Sequence, residues 1–273
     1  MRRIDRVLLG AGGLIPLWLF FGVLLTATGY PGYSHWDQAM SQLGAVGAPT
    51  HGYSPWVNNF PLALLFLSFA VGIARAYRHS RAALFSAALI ALHGLGSLGT
   101  GSFSCDPGCA PAQPSFSQQM HNLSGLLMFL SLTLASALWV ALARRLTGCR
   151  AFAGYSLACT LLALLTVGLM AHAASSGHDF GLYQRLNYGV SVLWVAGLAW
   201  VTWRRGGPCG LIAGMARSYE GDGLGFCLQP RRRMRASRWA LASRAGGLMC
   251  GLSRSCRRRS ASSSTPALSA SSR

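Results

Sequence analysis

Six long apolar runs, separated by short polar connections, constrain this chain more than any other feature. The runs lie at about 7–29, 60–76, 82–103, 121–143, 151–174 and 187–203. A helix needs about 20 apolar residues to cross the hydrocarbon core of a bilayer, and about 17 suffice. Because lipid offers backbone amides no partner, each run must be helical. The sequence therefore predicts an all-α membrane protein with six transmembrane helices in residues 1–206.

The composition excludes a soluble domain, since 52% of the residues are hydrophobic and only 11% are charged. The net charge of +18 comes from 24 basic residues, all arginine, of which twelve lie in 207–273. No aromatic-studded basic motif of a nucleic-acid module is present, so we expect no nucleic-acid partner. The arginines instead favour contact with anionic membrane lipids.

The positions of the arginines predict the orientation of the bundle. They cluster before the first run, around 75–81, around 144–150, and after the sixth run at 204–205. The alternate connections 30–59 and 104–120 have none, and 175–186 has only Arg185. Arginine-rich connections mark the cytoplasmic side. We therefore expect both termini in the cytoplasm and a multi-pass protein of the bacterial inner (cell) membrane.

Residues 207–273 differ from the rest of the chain because Arg, Ser, Gly and Cys dominate there without a period. One interpretation is a basic, disordered cytoplasmic tail that touches anionic lipid. The other is that the segment is not the ancestral C-terminus, since such text is typical of a GC-rich gene read out of frame. We assign no function to it.

The third and last runs carry residues with further structural meaning. Gly94, Gly96, Gly99 and Gly101 predict that the third helix packs closely in the middle of the bundle. His93 lies near mid-membrane, either as a functional group or as a neutral histidine bonded to a neighbour. Tryptophans near the helix ends predict interface anchors, namely Trp139, Trp194, Trp200 and Trp203.

The polar residues of the alternate connections form the candidate site. Asp37, Asp106 and Asp179 are the only acidic residues in 7–206, and all lie in these connections. Residues 30–59 are predicted to form a lid at the membrane interface. Its polar side either only contacts water or also supplies site residues. The segment 102–125 carries Cys105 and Cys109, for which a disulfide or free thiols are favoured over a metal site.

Two enzymatic interpretations use these residue types. In a membrane-embedded metal hydrolase, histidines hold zinc and an acid activates water. Its metal candidates are His121, His172 and Asp106. Its catalytic candidates are Asp106, His121, Asp37 and Ser41. No HExxH occurs, so the ligand spacing is unspecific. A serine hydrolase is weaker, because Ser41 lacks the GxSxG elbow.

Several short motifs, in order, resemble a known family of bacterial and archaeal membrane proteins, the domain of unknown function 998. They are SQLGAVGAPTHG, the glycine-rich third run leading into FSCDPGC, MHN, and GLYQRLNYGVSVLW, together covering roughly residues 5–205. The family's recurrent positions match 41–45, Asp106, His121, Gln184 and Arg185. Its usual acidic residue after the serine is glutamine here. The resemblance implies six membrane helices and no established reaction.

We therefore expect an outward-facing polar pocket, walled by the third to sixth helices and covered by the lid. The favoured function is binding or moving a lipid or small amphiphile. The alternatives are the metal-dependent hydrolase, acting on lipid at the outer leaflet, and a structural membrane subunit without a site. Arg185 is expected to pair with Asp106 or to hold an anionic head group. The binding candidates are Arg185, Gln184, His172, Asp179 and Asn122. The oligomeric state stays open.

Overall fold

The computed structural model describes residues 3–204. The helices are α1 (Arg3–Ala27), α2 (Ser54–Val57), α3 (Asn59–Ala76), α4 (Arg81–Ser102), α5 (Phe116–Thr147), α6 (Arg150–Ser176) and α7 (Phe180–Trp203). Two short 3₁₀ helices, Met40–Gly44 and Pro107–Cys109, lie in the connections, and no strand occurs within 3–204. Six helical segments are long and apolar enough to cross a membrane, with α2 and α3 counted together. The predicted tail, 207–273, lies outside the described residues.

The helix ends follow from local signals in the sequence. Ser80 and Ser115 precede α4 and α5, and each side chain accepts a hydrogen bond from a free backbone amide of the first turn. Gly148 and Gly177 end α5 and α6 with φ of 74° and 79°, which glycine adopts without strain. The connections at the ends of α3, α5 and α6 are short, at 77–80, 148–149 and 177–179.

The six spanning helices form a closed ring. Each packs against its neighbours in chain order, and α7 packs against α1 to complete the ring. α4 is one member of this ring, between α3 and α5, rather than a central helix. Its glycines explain the close packing, because an added Cβ at Gly96 would meet Met128 of α5 and one at Gly101 would meet Asn59 and Phe60 of α3.

Large side chains fill the interior of the ring at one end of the bundle. Phe66, Phe69, Trp139, Phe152 and Trp194 are fully buried there. The interpretation of Trp139 and Trp194 as interface anchors is wrong, because their indole N–H groups donate to buried serine hydroxyls inside the bundle (2.8 and 3.1 Å). We call this packed end of the bundle the plug. The first and last described residues lie at the same end of the bundle as the plug. At this end Arg75 of α3 pairs with Asp5 of α1 at 2.7 Å.

Candidate functional site

A cavity of about 830 Å³ lies inside the ring at the other end of the bundle. Its deepest lining residues on four helices are Leu62, His93, Leu132 and Ser191. One turn further along these helices the buried side chains of the plug begin. The cavity is therefore closed at the plug, and its other end lies under the connection between α1 and α3.

The cavity has a polar wall and an apolar wall. Asparagine, glutamine, serine, threonine, histidine and tyrosine side chains come from α3, α4 and α7: Asn59, His93, Ser97, Thr100, Gln184, Asn187, Tyr188 and Ser191. The inner parts of α5 and α6 supply apolar surface instead: Gly125, Met128, Phe129, Leu132, Val167, Met170 and Ala173. Among the described lining residues only Asp37 carries a fixed charge, and it is exposed at the rim.

His93 is buried in the polar wall and has partners for both ring nitrogens. Its Nδ1 lies 3.0 Å from the carbonyl oxygen of Met128, which can only accept, so Nδ1 carries the proton. Its Nε2 then accepts from the Tyr188 hydroxyl at 3.2 Å. His93 is therefore a satisfied neutral histidine that joins α4, α5 and α7. Sequence spacing along α4 gives no sign of the Tyr188 partner.

His121 lines the cavity near its rim, at the first turns of α5. Its Nδ1 donates to the carbonyl oxygen of Phe103 at 2.8 Å. Within residues 3–204 no hydrogen bond uses its Nε2, which is a free acceptor in this tautomer. Asn122 also lines the cavity, and its amide oxygen accepts from the buried Gln118 at 2.8 Å, which leaves its NH₂ group unused in the described chain.

The predicted lid, 30–59, is shorter in the structure and comprises residues 30–53, because α2 begins at Ser54. Its 3₁₀ helix Met40–Gly44 contributes Met40, Ser41, Gln42 and Gly44 to the cavity lining. The lid is fastened to the start of α7. Leu182 N–H donates to the Trp36 carbonyl oxygen at 2.7 Å, and Gln184 accepts from the Met40 N–H at 2.6 Å. The candidate Gln184 therefore both holds the lid and faces the cavity.

Arg185 also holds the lid on α7 through side-chain hydrogen bonds. Its guanidinium donates to the carbonyl oxygen of Gln38 at 3.0 Å and to the hydroxyl of Tyr33 at 2.7 Å. A third bond, of 2.8 Å, goes to the carbonyl oxygen of Gly181 on its own helix. The expected pairing with Asp106 is wrong, since no ion pair joins them in the described chain. Arg185 is also absent from the cavity lining.

Asp37 and Asp179 meet at the outer edge of the lid. A carboxylate oxygen of Asp37 accepts from the backbone N–H of Asp179 at 3.1 Å, and the other accepts from the Ser34 hydroxyl at 2.8 Å. The Asp179 amide, followed by the Ser34 hydroxyl, lowers the pKa of Asp37. Asp179 contributes through its backbone, in the left-handed conformation (φ 65°) that starts α7.

Asp106 fixes the connection between α4 and α5. Its carboxylate accepts from the hydroxyl and the backbone N–H of Ser115 at 2.6 and 2.9 Å, which lowers its pKa. Cys105 and Cys109 are joined by a disulfide. The stapled turn also holds the lid, because Val46 N–H donates to the Cys105 carbonyl oxygen at 2.9 Å and Gln42 donates to that of Gly108 at 3.1 Å.

The three metal candidates do not come together. His172 is exposed near the end of α6 and does not line the cavity. Asp106 is taken up by Ser115, and His121 stands apart in the cavity wall. Within residues 3–204 no group of three or more His, Cys, Asp or Glu side chains is arranged to hold a metal ion. The geometry thus gives the predicted zinc site no support.

The profile of the family described as "Protein of unknown function (DUF998)" matches residues 14–201, more than half of the chain. The chain belongs to the DUF998 family. The match confirms the resemblance carried by the sequence motifs, and it covers the whole of the cavity and the lid. Comparisons with curated proteins and with solved structures found no match. The DUF998 assignment therefore supports the membrane fold and leaves the activity to be inferred from the site.

Proposed function

We propose that this DUF998 protein binds a lipid or small amphiphile in the cavity beneath the lid. The observation that carries the proposal is the division of one closed-ended cavity into a hydrogen-bonding wall and an apolar wall. Its volume of about 830 Å³ falls within the range of small-molecule sites, roughly 300–1,000 Å³. An amphiphile matches both walls at once.

We also propose that the cavity opens away from the cytoplasm. In the described chain the plug end of the bundle carries the arginines of the 75–81 and 144–150 connections, whereas the lid end has Arg185. Arginine-rich connections are typical of the cytoplasmic side, so the plug end would face the cytoplasm and the lid end would face outward. A phosphatase reporter inserted after Pro49, in the lid, should be active outside the cell, and an inactive reporter would contradict this orientation.

The binding proposal is tested by filling the cavity without disturbing the packing. An added Cβ at Gly125 has no atom within 4 Å, although the residue lines the cavity. Gly125→Phe should therefore fold and exclude the ligand. Gly168→Phe is the matched control, because Gly168 is equally open, is exposed on α6 and does not line the cavity.

The full-length protein is purified in mild detergent, and the lipids it retains are extracted and identified by mass spectrometry. We expect the wild type and Gly168→Phe to retain a chemically unchanged amphiphile that Gly125→Phe loses, with similar thermal unfolding for all three. Absence of any retained amphiphile in the wild type, or equal retention by Gly125→Phe, would refute the proposal. A structural subunit without a site would then be the better interpretation.

A further inference from the structure

Exposure along the facing sides of α5 and α6 changes from the plug end to the lid end of the bundle. At the plug end the hydroxyls of Ser136 and Thr160 are hydrogen-bonded at 2.8 Å. Beyond this point the antiparallel helices continue side by side in length, to Phe116 on α5 and to Ser176 on α6. At a rise of about 1.5 Å per residue, Asn122 and Ala174 lie at the same height in the bundle. Contact between the two helices at that height would bury their facing positions.

The facing positions on α5 change from buried to exposed along one stripe. Asn122, Leu126, Phe129, Thr133 and Ser136 follow the i, i+4, i+7 spacing of a single helix face. Ser136 and Thr133 are 4% and 8% exposed, whereas Leu126 is 52% exposed and Asn122 is also exposed. α6 therefore covers this stripe near the plug and leaves it open near the lid.

The matching stripe on α6 behaves in the same way. Thr160 is buried, Val167 is half-buried, and Ala171 and Ala174 are exposed. Val167 and Ala174 also line the cavity. By contrast, α4 and α5 touch so closely that an added Cβ at Gly99 would meet the Ser124 side chain. The wall of the cavity is thus tight on the α4 side and parted on the α6 side.

The charge of the cavity restricts the head group of the ligand. No arginine, and no acidic residue other than the exposed Asp37, lines it within the described chain. Moving an ionic group from water into such a site without a counter-charge is costly. A neutral head with hydroxyl or amide groups is instead matched by unused hydrogen-bonding atoms, such as the Nε2 atoms of Gln184 and His121.

We infer that the cavity takes an amphiphile with an uncharged, hydrogen-bonding head group, whose alkyl chain reaches the bilayer through the gap between α5 and α6. The head lies against the polar wall of α3, α4 and α7, and the chain follows the apolar wall of Phe129, Val167 and Met170. This inference rests on the proposed amphiphile binding and names both the ligand class and its route.

Three radiolabelled probes separate the chemistry of head and chain: monoolein, oleate and glycerol. Monoolein and oleate share one chain, and glycerol is the head group of monoolein alone. We expect monoolein to bind the full-length protein at least about tenfold more tightly than oleate, since an unpaired buried charge costs more than about 1.4 kcal/mol. Glycerol should not bind measurably.

Leu126→Trp and Ala171→Trp test the route, because each places a bulky side chain in the gap from an exposed position. Leu134→Trp is the control, since Leu134 is also 52% exposed on α5 but lies off the stripe that faces α6, about 100° around the helix from Thr133. Monoolein association should slow several-fold in the first two variants and not in the control.

The outcomes distinguish the two proposals. If no probe with a chain binds, amphiphile binding itself fails. If oleate binds as tightly as monoolein, the binding proposal stands and the neutral head group is refuted. If Leu126→Trp and Ala171→Trp associate as fast as Leu134→Trp, the route between α5 and α6 is refuted.

Discussion

Replacing Arg185 with methionine should loosen the lid without unfolding the bundle. Two of its hydrogen bonds cross from α7 to the lid, to Gln38 and to Tyr33. Hydrogen bonds from a charged donor contribute about 1.5–3 kcal/mol each. Taking the lower figure, Arg185→Met removes about 3 kcal/mol from lid docking. Methionine is a good helix former, so α7 should persist.

The assay is hydrogen exchange followed by mass spectrometry on peptides covering residues 33–46. A loss of about 3 kcal/mol in local opening raises exchange about a hundred-fold in these peptides, because about 1.4 kcal/mol corresponds to a factor of ten. Peptides from the plug, such as those around Trp139 and Trp194, should keep their protection. The change is therefore expected to be local.

Arg144→Met is the matched control, because Arg144 is exposed at the other end of the bundle. It should leave the exchange of 33–46 unchanged. If Arg185→Met also leaves it unchanged, the lid does not depend on this arginine and the reasoning from its hydrogen bonds is refuted. If exchange rises equally in the plug, Arg185 supports the whole fold rather than the lid.

Three further predictions concern the contacts of the lid and of its supporting turn. Gly181→Ala should raise lid exchange, because an added Cβ collides with the Gln38 carbonyl, whereas Gly189→Ala on the same helix meets nothing and should not. Asp106→Asn should lower the thermal unfolding temperature at pH 7, and the difference from the wild type should shrink as the pH falls below about 3.9. Its pKa is held below the ordinary aspartate value of about 3.9, so its stabilisation is complete above that value and is lost as the pH falls through the lowered pKa. Replacing both Cys105 and Cys109 with serine should speed exchange of 44–48, where the lid meets the disulfide turn, and unchanged exchange there would contradict a bracing role.

The hydropathy of the sequence is enough to predict six membrane helices, because lipid leaves the backbone no alternative. It places the starts of the last helices less well. α7 begins at Phe180, seven residues before the predicted apolar run, and α5 begins at Phe116. The segments before the predicted runs carry polar residues, Ser117 to Gln119 on α5 and Gln184 with Arg185 on α7, so hydropathy counts them as loop. The sequence also places Trp139 and Trp194 wrongly at the membrane interface. Their N–H groups donate instead to serine hydroxyls deep in the bundle, which sequence position alone does not indicate.

The site residues are only partly predictable, because their partners lie far away in the chain. The sequence indicates that Arg185 and Asp106 are unusual, and opposite charges suggest a pair. The structure instead gives Arg185 carbonyl and phenol oxygens of the lid, about 150 residues away, and gives Asp106 the N-terminus of α5. Local geometry thus satisfies Asp106 before any long-range contact is needed.

The plug favours binding at one membrane face over passage across the bundle. A ligand that continued through the ring would have to displace Phe66, Trp139 and Trp194, which are 0% exposed. Burial of each such side chain contributes about 1.5–3 kcal/mol, so opening the plug costs on the order of 5 kcal/mol or more before lost hydrogen bonds are counted. The inferred gap between α5 and α6 requires no such cost, because the side chains that flank it, such as Leu126 and Ala171, are already exposed. Under the proposed binding function, an amphiphile would therefore enter and leave by the side of the bundle, and the plug would keep it from crossing to the other membrane face.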